Sequence, residues 1–419
     1  MSPDPAPLAP AARLVPMLAS LLSAFALSQA FRTVTAILAP SLQADFGLDG
    51  QALGAFAGLF GLSFGVAQLL MGIGMDVYGL RRTVLISFSL AIAGSALSAL
   101  APSYGWLMAG QLLIGVGCSP AFLACTMFLA RHFPAERFAF FSGVSLGAGG
   151  LGLIFTGTPL AWVVQYGGWR AGFAVLAVLS ALSWLLIWRV VHEPPAAYAP
   201  QSTQREGWRQ AFAGLASLLA LPHTWGILVM GMSCYAAFLS LRGLWLGPLL
   251  IERFGYTLVQ SGNVALVLSV IALFAPGVFG RLDPGVRRRR AWVVRAAASM
   301  AGCFALLALL QRADAALALI VLMGLLSGYG VLQYADVRAS YPAAMTGRAL
   351  SLYTMAMFLG VALMQWTTGI VAAVAAAHGL PPYGAVLGAI AAWLALAAMA
   401  FGLLPASPLL RRPGTTARR

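Results

Sequence analysis

Two arginines lie where an arginine is expensive. Arg32, in QAFRTVTAILAP, and Arg242, in LSLRGLWLGPLL, each fall past the midpoint of a long apolar run, and each precedes a proline, Pro40 or Pro248. If those runs cross a bilayer, a guanidinium at that depth costs from roughly 3 to more than 10 kcal/mol unless it faces a cavity or a partner. No acidic residue stands at matching depth. Asp45 and Asp49 follow the first run, Glu252 follows the seventh, and Asp336 marks the inner end of the tenth. A guanidinium pair without counter-charge reads as an anion site, because its planar donor fork fits phosphate or carboxylate oxygens. The structural alternative is that either arginine bonds backbone carbonyls or reaches outward to Asp45 or Glu252. Gln29, one turn before Arg32, and Tyr235, two turns before Arg242, are further candidates for holding a solute. So are Gln333, Tyr334, Gln365 and Trp366 on two later runs, although packing is the plainer reading of each.

Other chemistry finds no constellation. His132, His192, His223 and His378 are dispersed over loops and helix ends. The chain contains no lysine, so the phosphate-cradling GxxxxGK[ST] motif is impossible. Cys118, Cys125, Cys234 and Cys303 sit inside apolar runs without metal-ligand spacing and read as small buried hydrophobes. Neither an enzyme, a cofactor nor a metal site is expected.

The elements that must position the arginines follow from composition. Of 419 residues 61% are hydrophobic and only 9% charged, against roughly 25% charged in soluble domains. Apolar segments run at about 14–40, 51–73, 83–101, 105–130, 138–164 and 170–191, then at about 223–251, 259–281, 291–311, 315–337, 345–375 and 384–404. Each is near the ~20 residues a helix needs to cross a bilayer. Residues 1–13, rich in Pro and Ala, are expected to be disordered and cytoplasmic. Residues 192–222 form a cytoplasmic linker, and 405–419 a cytoplasmic tail. Arg13 to Ala30 imitates a signal peptide, but its apolar run continues to Ala39, so cleavage is not expected. The net charge of +14 reflects topology rather than nucleic-acid binding. Of the 25 arginines only Arg170, Arg253 and Arg312 fall on loops of the other side, with Arg32 and Arg242 inside helices, so both termini are placed in the cytoplasm.

Between the second and third runs lies GIGMDVYGLRR, residues 72–82. Gly72 and Gly79 would let the backbone turn, and Asp76 needs a cation such as Arg81 or Arg82 because it ends a helix. The spacing G-x-x-x-D-x-x-G-x-R-R resembles the signature loop of the major facilitator superfamily. It recurs about 205 residues on as GVFGRLDPGVRRRR, with Arg281 in the place of Asp76. Phe133-Pro134 before Arg137 matches Tyr341-Pro342 before Arg348, and Arg32 matches Arg242. These landmarks make a six-plus-six parallel repeat, the architecture of that superfamily.

The resemblance implies an all-α membrane protein with twelve transmembrane helices in two pseudo-symmetric six-helix bundles, 14–191 and 223–404. It implies a multi-pass monomer of a bacterial-type inner or plasma membrane, moving a small solute by alternating access. The arginines are similar to those of the organophosphate-antiporter branch, where Arg on the first and seventh helices receives the substrate phosphate. Nitrate and organic-anion carriers place theirs differently. Two departures weaken a drug-efflux reading: Gln111 stands where an arginine often begins the fourth helix, and GAGGLGLIFTGTP separates Gly157 from Pro159 by a threonine. The reading is a carrier of a small anion, with exchange of anions preferred. Its rivals are proton-coupled efflux and, more distantly, a membrane sensor with the carrier fold. The 72–82 loop is expected to act as a conformational latch. Asp76→Asn should therefore insert normally and lose most transport in vesicles; wild-type turnover would reduce the loop to a simple turn.

Overall fold

The computed structural model describes residues 11–133, 135–192, 214 and 216–410. Among them the regular secondary structure is helical throughout. The first span is α1 (Ala11–Thr33) followed by α2 (Thr35–Phe46); the second and third are α3 (Gly50–Val77) and α4 (Leu80–Ala99). The fourth is α5 (Tyr104–Cys118) with α6 (Ala121–His132), and α7 (Ala135–Phe155) opens the fifth. Next, α8 (Thr158–Val190) completes the fifth and forms the sixth. The seventh is α9 (Pro222–Ser240), continued through π-helical turns at Leu241–Trp245 and Leu249–Arg253. Then come α10 (Leu258–Arg281), α11 (Val286–Leu309), and a tenth span of α12 (Ala313–Leu326) and α13 (Gly330–Ser340). The last two are α14 (Ala343–Ala377) and α15 (Pro382–Leu403).

Eleven helical stretches among the described residues are long and apolar enough to cross a bilayer, and one of them, Gly147–Val190, has 44 residues. At ~1.5 Å per residue that stretch is about twice the ~30 Å hydrocarbon core. It divides at Gly168, whose φ of 73° and ψ of 176° leave the helix. Twelve crossings result.

The breaks within spans have local causes. Pro120 cannot donate to Val116, and Ser119 supplies both its N–H and its hydroxyl to that carbonyl instead. Where α7 meets α8, Gly157 donates to Ile154 at 3.0 Å rather than to Leu153, its partner in a regular helix. The Leu153 carbonyl is thereby released. Pro40 and Pro248 similarly free carbonyls in the first and seventh spans.

Hydrophobic packing forms two large clusters. One is drawn almost wholly from the first six spans, centred on residues such as Phe56, Phe88, Phe128 and Phe173. The other is drawn mainly from the last six, around Tyr329, Phe304, Leu394 and Phe401. The halves repeat in detail. Gly79 (φ 90°) precedes α4 as Gly285 (φ 80°) precedes α11. Arg81 donates to the Trp188 carbonyl at the end of the sixth span, and Arg290 donates to the Phe401 and Leu404 carbonyls at the end of the twelfth. In the second loop the Asp283 carboxylate accepts from both Arg289 Nε and Nη2, which holds its pKa below the usual carboxylate range.

Gly72 is not part of the turn expected of it. It lies within α3, which continues to Val77, and the reversal is made by Tyr78 and Gly79 alone. The side chain of Asp76 lies outside the described residues, as do most of the 1–13 and 192–222 segments and 411–419.

Turns that carry few arginines lie on one side of the bundle and the Arg-rich turns on the other. Close contacts between halves gather toward the Arg-poor side. A Cβ on Gly50, Gly54 or Gly58 would come within 2.8 Å of the eleventh span, and one on Gly157 within 2.7 Å of Leu266. Gly65 still meets Phe358, but Gly72 meets only Leu123 of its own half. The halves thus close on the Arg-poor side and part toward the Arg-rich side. The four cysteines are buried. An impermeant thiol reagent should therefore label cysteines introduced at 192–222 from the cytoplasm only, and at 376–383 from outside only. Labelling of both from one side would overturn the topology.

Candidate functional site

Arg32 ends α1, where the helix dipole favours a cation. Its Nη1 donates to the Tyr235 hydroxyl and its Nη2 to Ser28 Oγ, both at 3.4 Å, the long limit for such bonds. Its buried Nε has no partner. Instead, Cζ lies 4.6 Å from the Phe64 ring centroid and 4.7 Å from that of Phe358, within the range where ring quadrupoles attract a cation. Phe64 comes from the second span and Phe358 from the eleventh, their centroids 4.2 Å apart, so Arg32 rests on a contact between halves. Among the described residues no carboxylate pairs with it.

Several of the expected companions gather here. Tyr235 packs edge-on to Phe358 at 5.9 Å. Tyr334 lies beside Thr354, Tyr235 and Arg32, and is 38% exposed although it faces the bundle. That exposure is to the space between the halves. Behind it Tyr353 meets its ring edge-on at 5.0 Å and donates to Gln333 Oε1 at 2.9 Å. Gln333 thus engages Tyr353 through Oε1, while its buried Nε2 has no partner among the described residues. Gln29 stands one turn from Arg32 with a buried, unpartnered Oε1.

Gln365 and Trp366 do not join them. They follow Phe358 by seven and eight residues, about 10–12 Å along the helix. The backbone carbonyl of Gln365 seals against Gly54. Trp366, 47% exposed, shares an outward apolar stripe with Leu363 and Val374, which suits lipid.

Arg242 is placed differently from Arg32. It is 0% exposed, inside the π-helical turn of the seventh span. Nε donates to Ser269 Oγ at 3.0 Å, and Nη2 to the Leu153 carbonyl at 3.0 Å and to Thr156 Oγ1 at 3.4 Å. Thr156 Oγ1 in turn meets Thr33 Oγ1 at 2.6 Å. Arg242 thus fills the carbonyl left open by the break in the fifth span, and it bridges the halves on their closed side. Sequence pairing suggested one site with two cations; the folded chain presents one cation to the space between halves and commits the other to backbone. Phe64, Phe358 and Ser28 were missed because they carry no charge. The irregular GAGGLGLIFTGTP segment was the available sign of the freed carbonyl.

Of the expected latch, Arg81 caps the sixth span and Arg82 is exposed.

A family model described as Major Facilitator Superfamily matches residues 21–365. The chain belongs to the Major Facilitator Superfamily. The curated relatives that it matches are named as transporters. It is 32% identical over 181 residues to the mouse "Solute carrier family 2, facilitated glucose transporter member 10", covering 41% of this chain and 33% of that protein. It is 32% identical over 169 residues to the "Gallate transporter" of Pseudomonas putida, covering 36% of this chain and 35% of that one. With "Probable galactarate/D-glucarate transporter GudP" of Bacillus subtilis it shares 22% over 359 residues, 78% of each chain. The chain thus spans about a third of the length of the first curated relatives it matches. Solved facilitator structures share the fold: the nucleoside transporter NupG at TM-score 0.74 and 17% identity, covering 93% of this chain and 98% of that one. A bacterial homologue of the human lysosomal transporter Spinster, inward-facing and occupied, gives 0.74 at 15% identity over 94% and 97%.

If Arg32 receives an anion, Arg32→Ala should weaken binding of that anion at least tenfold in a thermal-shift titration. Arg32→Lys should restore only part, because an ammonium lacks the planar fork. Unchanged affinity in both variants would remove Arg32 from the site.

Proposed function

We propose that this facilitator-family protein is a secondary transporter of a small organic anion, working by alternating access, with Arg32 as the anion's receptor. The observation that carries the reading is the state of the Arg32 guanidinium. It is held by two aromatic rings and two long hydrogen bonds, it is half-buried, and among the described residues it bonds no carbonyl or carboxylate. Such a group has donors to spare for an oxyanion. Tyr235, Tyr334 and Gln29 stand close enough to orient the rest of the solute. The gallate and galactarate/D-glucarate relatives, whose names are those of organic acids, support the same class. The Arg-rich side would face the cytoplasm, as would both termini, in an inner or plasma membrane.

The permanent charge favours exchange. A guanidinium is a permanent cation, so the empty site carries a bare charge across the membrane on its return, at a cost. Return with a second anion bound avoids that cost. Proton coupling is the rival reading, and one observation favours it: Asp336 is 3% exposed with an unpartnered Oδ1. Asp45 instead accepts from Trp169 Nε1 at 2.6 Å and pairs with Arg170 at 3.4 Å, while Glu252 is hydrogen-bonded to Tyr383. In proteoliposomes at equal pH, labelled anion should enter vesicles preloaded with anion and not empty ones. Entry into empty vesicles driven by a pH gradient, and lost in Asp336→Asn, would replace exchange with proton coupling.

A further inference from the structure

The two arginines of the spans are not equivalent, and the difference bears on how much charge the solute carries. Arg242 is enclosed completely. Its Nε is held by Ser269, a residue of its own half, so that bond does not depend on how the halves are placed. Its Nη2 is held by Leu153 and Thr156 of the other half. The Leu153 carbonyl also accepts from Ser269 Oγ at 3.2 Å and from Thr156 Oγ1 at 3.1 Å, so polar partners hold Nε and Nη2, while Nη1 is buried without a partner among the described residues. The Thr33–Thr156 contact and the close approach of Gly243 to the Arg32 carbonyl complete the seam around it. A solute entering between the halves from the Arg-rich side reaches Arg32 without reaching Arg242.

Among the described residues the wall around Arg32 offers no second cation in place of it. Phe64, Phe358, Tyr235 and Tyr334 surround the guanidinium, and Ser28 and Gln29 add only neutral polar atoms. Among the described residues, the next arginine along that wall is Arg338, one helical turn beyond Tyr334. It is exposed at the Arg-rich end, where water screens its charge. One guanidinium can neutralise one carboxylate through two parallel hydrogen bonds. A second negative charge on the same solute would lie against aromatic rings without a partner, and an unpaired charge out of water is strongly disfavoured.

Resting on the organic-anion reading, we propose that the site takes a single carboxylate and discriminates against phosphate monoesters and dicarboxylates. The specificity comes from the commitment of Arg242 to the broken fifth span. Arg242 is then a positioning residue of the closed seam, and Arg32 alone meets the anion from this side.

The experiment measures binding by thermal shift and calorimetry on the purified full chain at about pH 8, where a phosphate monoester carries two charges. Two matched pairs isolate charge from shape: benzoate against phenyl phosphate, and glucuronate against glucarate. The monocarboxylate is expected to bind at least tenfold more tightly within whichever pair binds. Arg242→Gln should leave that affinity within about threefold, whereas Arg32→Gln should lose at least tenfold. Circular dichroism and gel filtration of each variant identify any that misfolds. Should Arg242→Gln fail to fold, Ser269→Ala, which removes the support of Arg242 Nε within its own half, takes its place with the same expectation. Tighter binding of the dianion in either pair overturns the proposal and leaves the anion reading standing. So does a loss in Arg242→Gln equal to that in Arg32→Gln. Binding of none of the four by the wild-type chain overturns the proposal. If the exchange assay also shows no anion uptake, the anion reading falls with it.

Discussion

The structure depends on one constraint: inside a bilayer every backbone carbonyl must find a donor within the protein. Helix ends and helix breaks release such carbonyls, and in this chain arginines fill many of them. Arg81 takes the end of the sixth span and Arg290 the end of the twelfth. Arg253 takes three carbonyls at the end of the ninth, Leu307, Ala308 and Leu310, and Arg170 takes Ala101 after the third. Arg242 does the same in mid-membrane for Leu153. A guanidinium suits this work because its five donors spread over a rigid fork and can hold several acceptors at once. The absence of lysine from the chain is consistent with that use.

Against this background Arg32 stands out by what it does not do. Among the described residues it caps no carbonyl, and its charge is met by rings and hydroxyls that leave donor capacity unused. Its setting also couples it to the placement of the halves. Phe64 and Phe358, on opposite halves, touch each other beneath the guanidinium. Arg32 therefore stands at the edge of the seam between the halves.

The seam is made of small residues for a plain steric reason. Gly50, Gly54 and Gly58 lie against Gly369, Gln365 and Ala362, and Gly247 lies against the Ala36 carbonyl that Pro40 leaves without a helical donor. A methyl group at several of these positions would meet backbone rather than a yielding side chain. Backbones in direct contact gain dispersion without interlocked side chains, which is the kind of contact two rigid bundles can make and release.

Much was decided by the sequence alone. Apolar runs of membrane length, the arginine bias between loops and the repeated loop motif specify an all-helical, twelve-span, two-bundle protein, because in lipid hydrogen-bonding and hydropathy leave few alternatives. Arg32 was legible as a candidate for the same reason: a charge at that depth demands an explanation. What the sequence left open was the partner of each arginine. Arg32 and Arg242 occupy matching places in the two halves, yet one faces the space between them and the other is sealed in a seam. That difference arises from the π-helical turn that carries Arg242, and from a break in a distant fifth span that uncovers Leu153. The same limit applies to Gln333, Gln365 and Trp366, whose spacing along a helix could not say which neighbour each would meet. Local pattern determines which elements form; only their packing decides which donor reaches which acceptor.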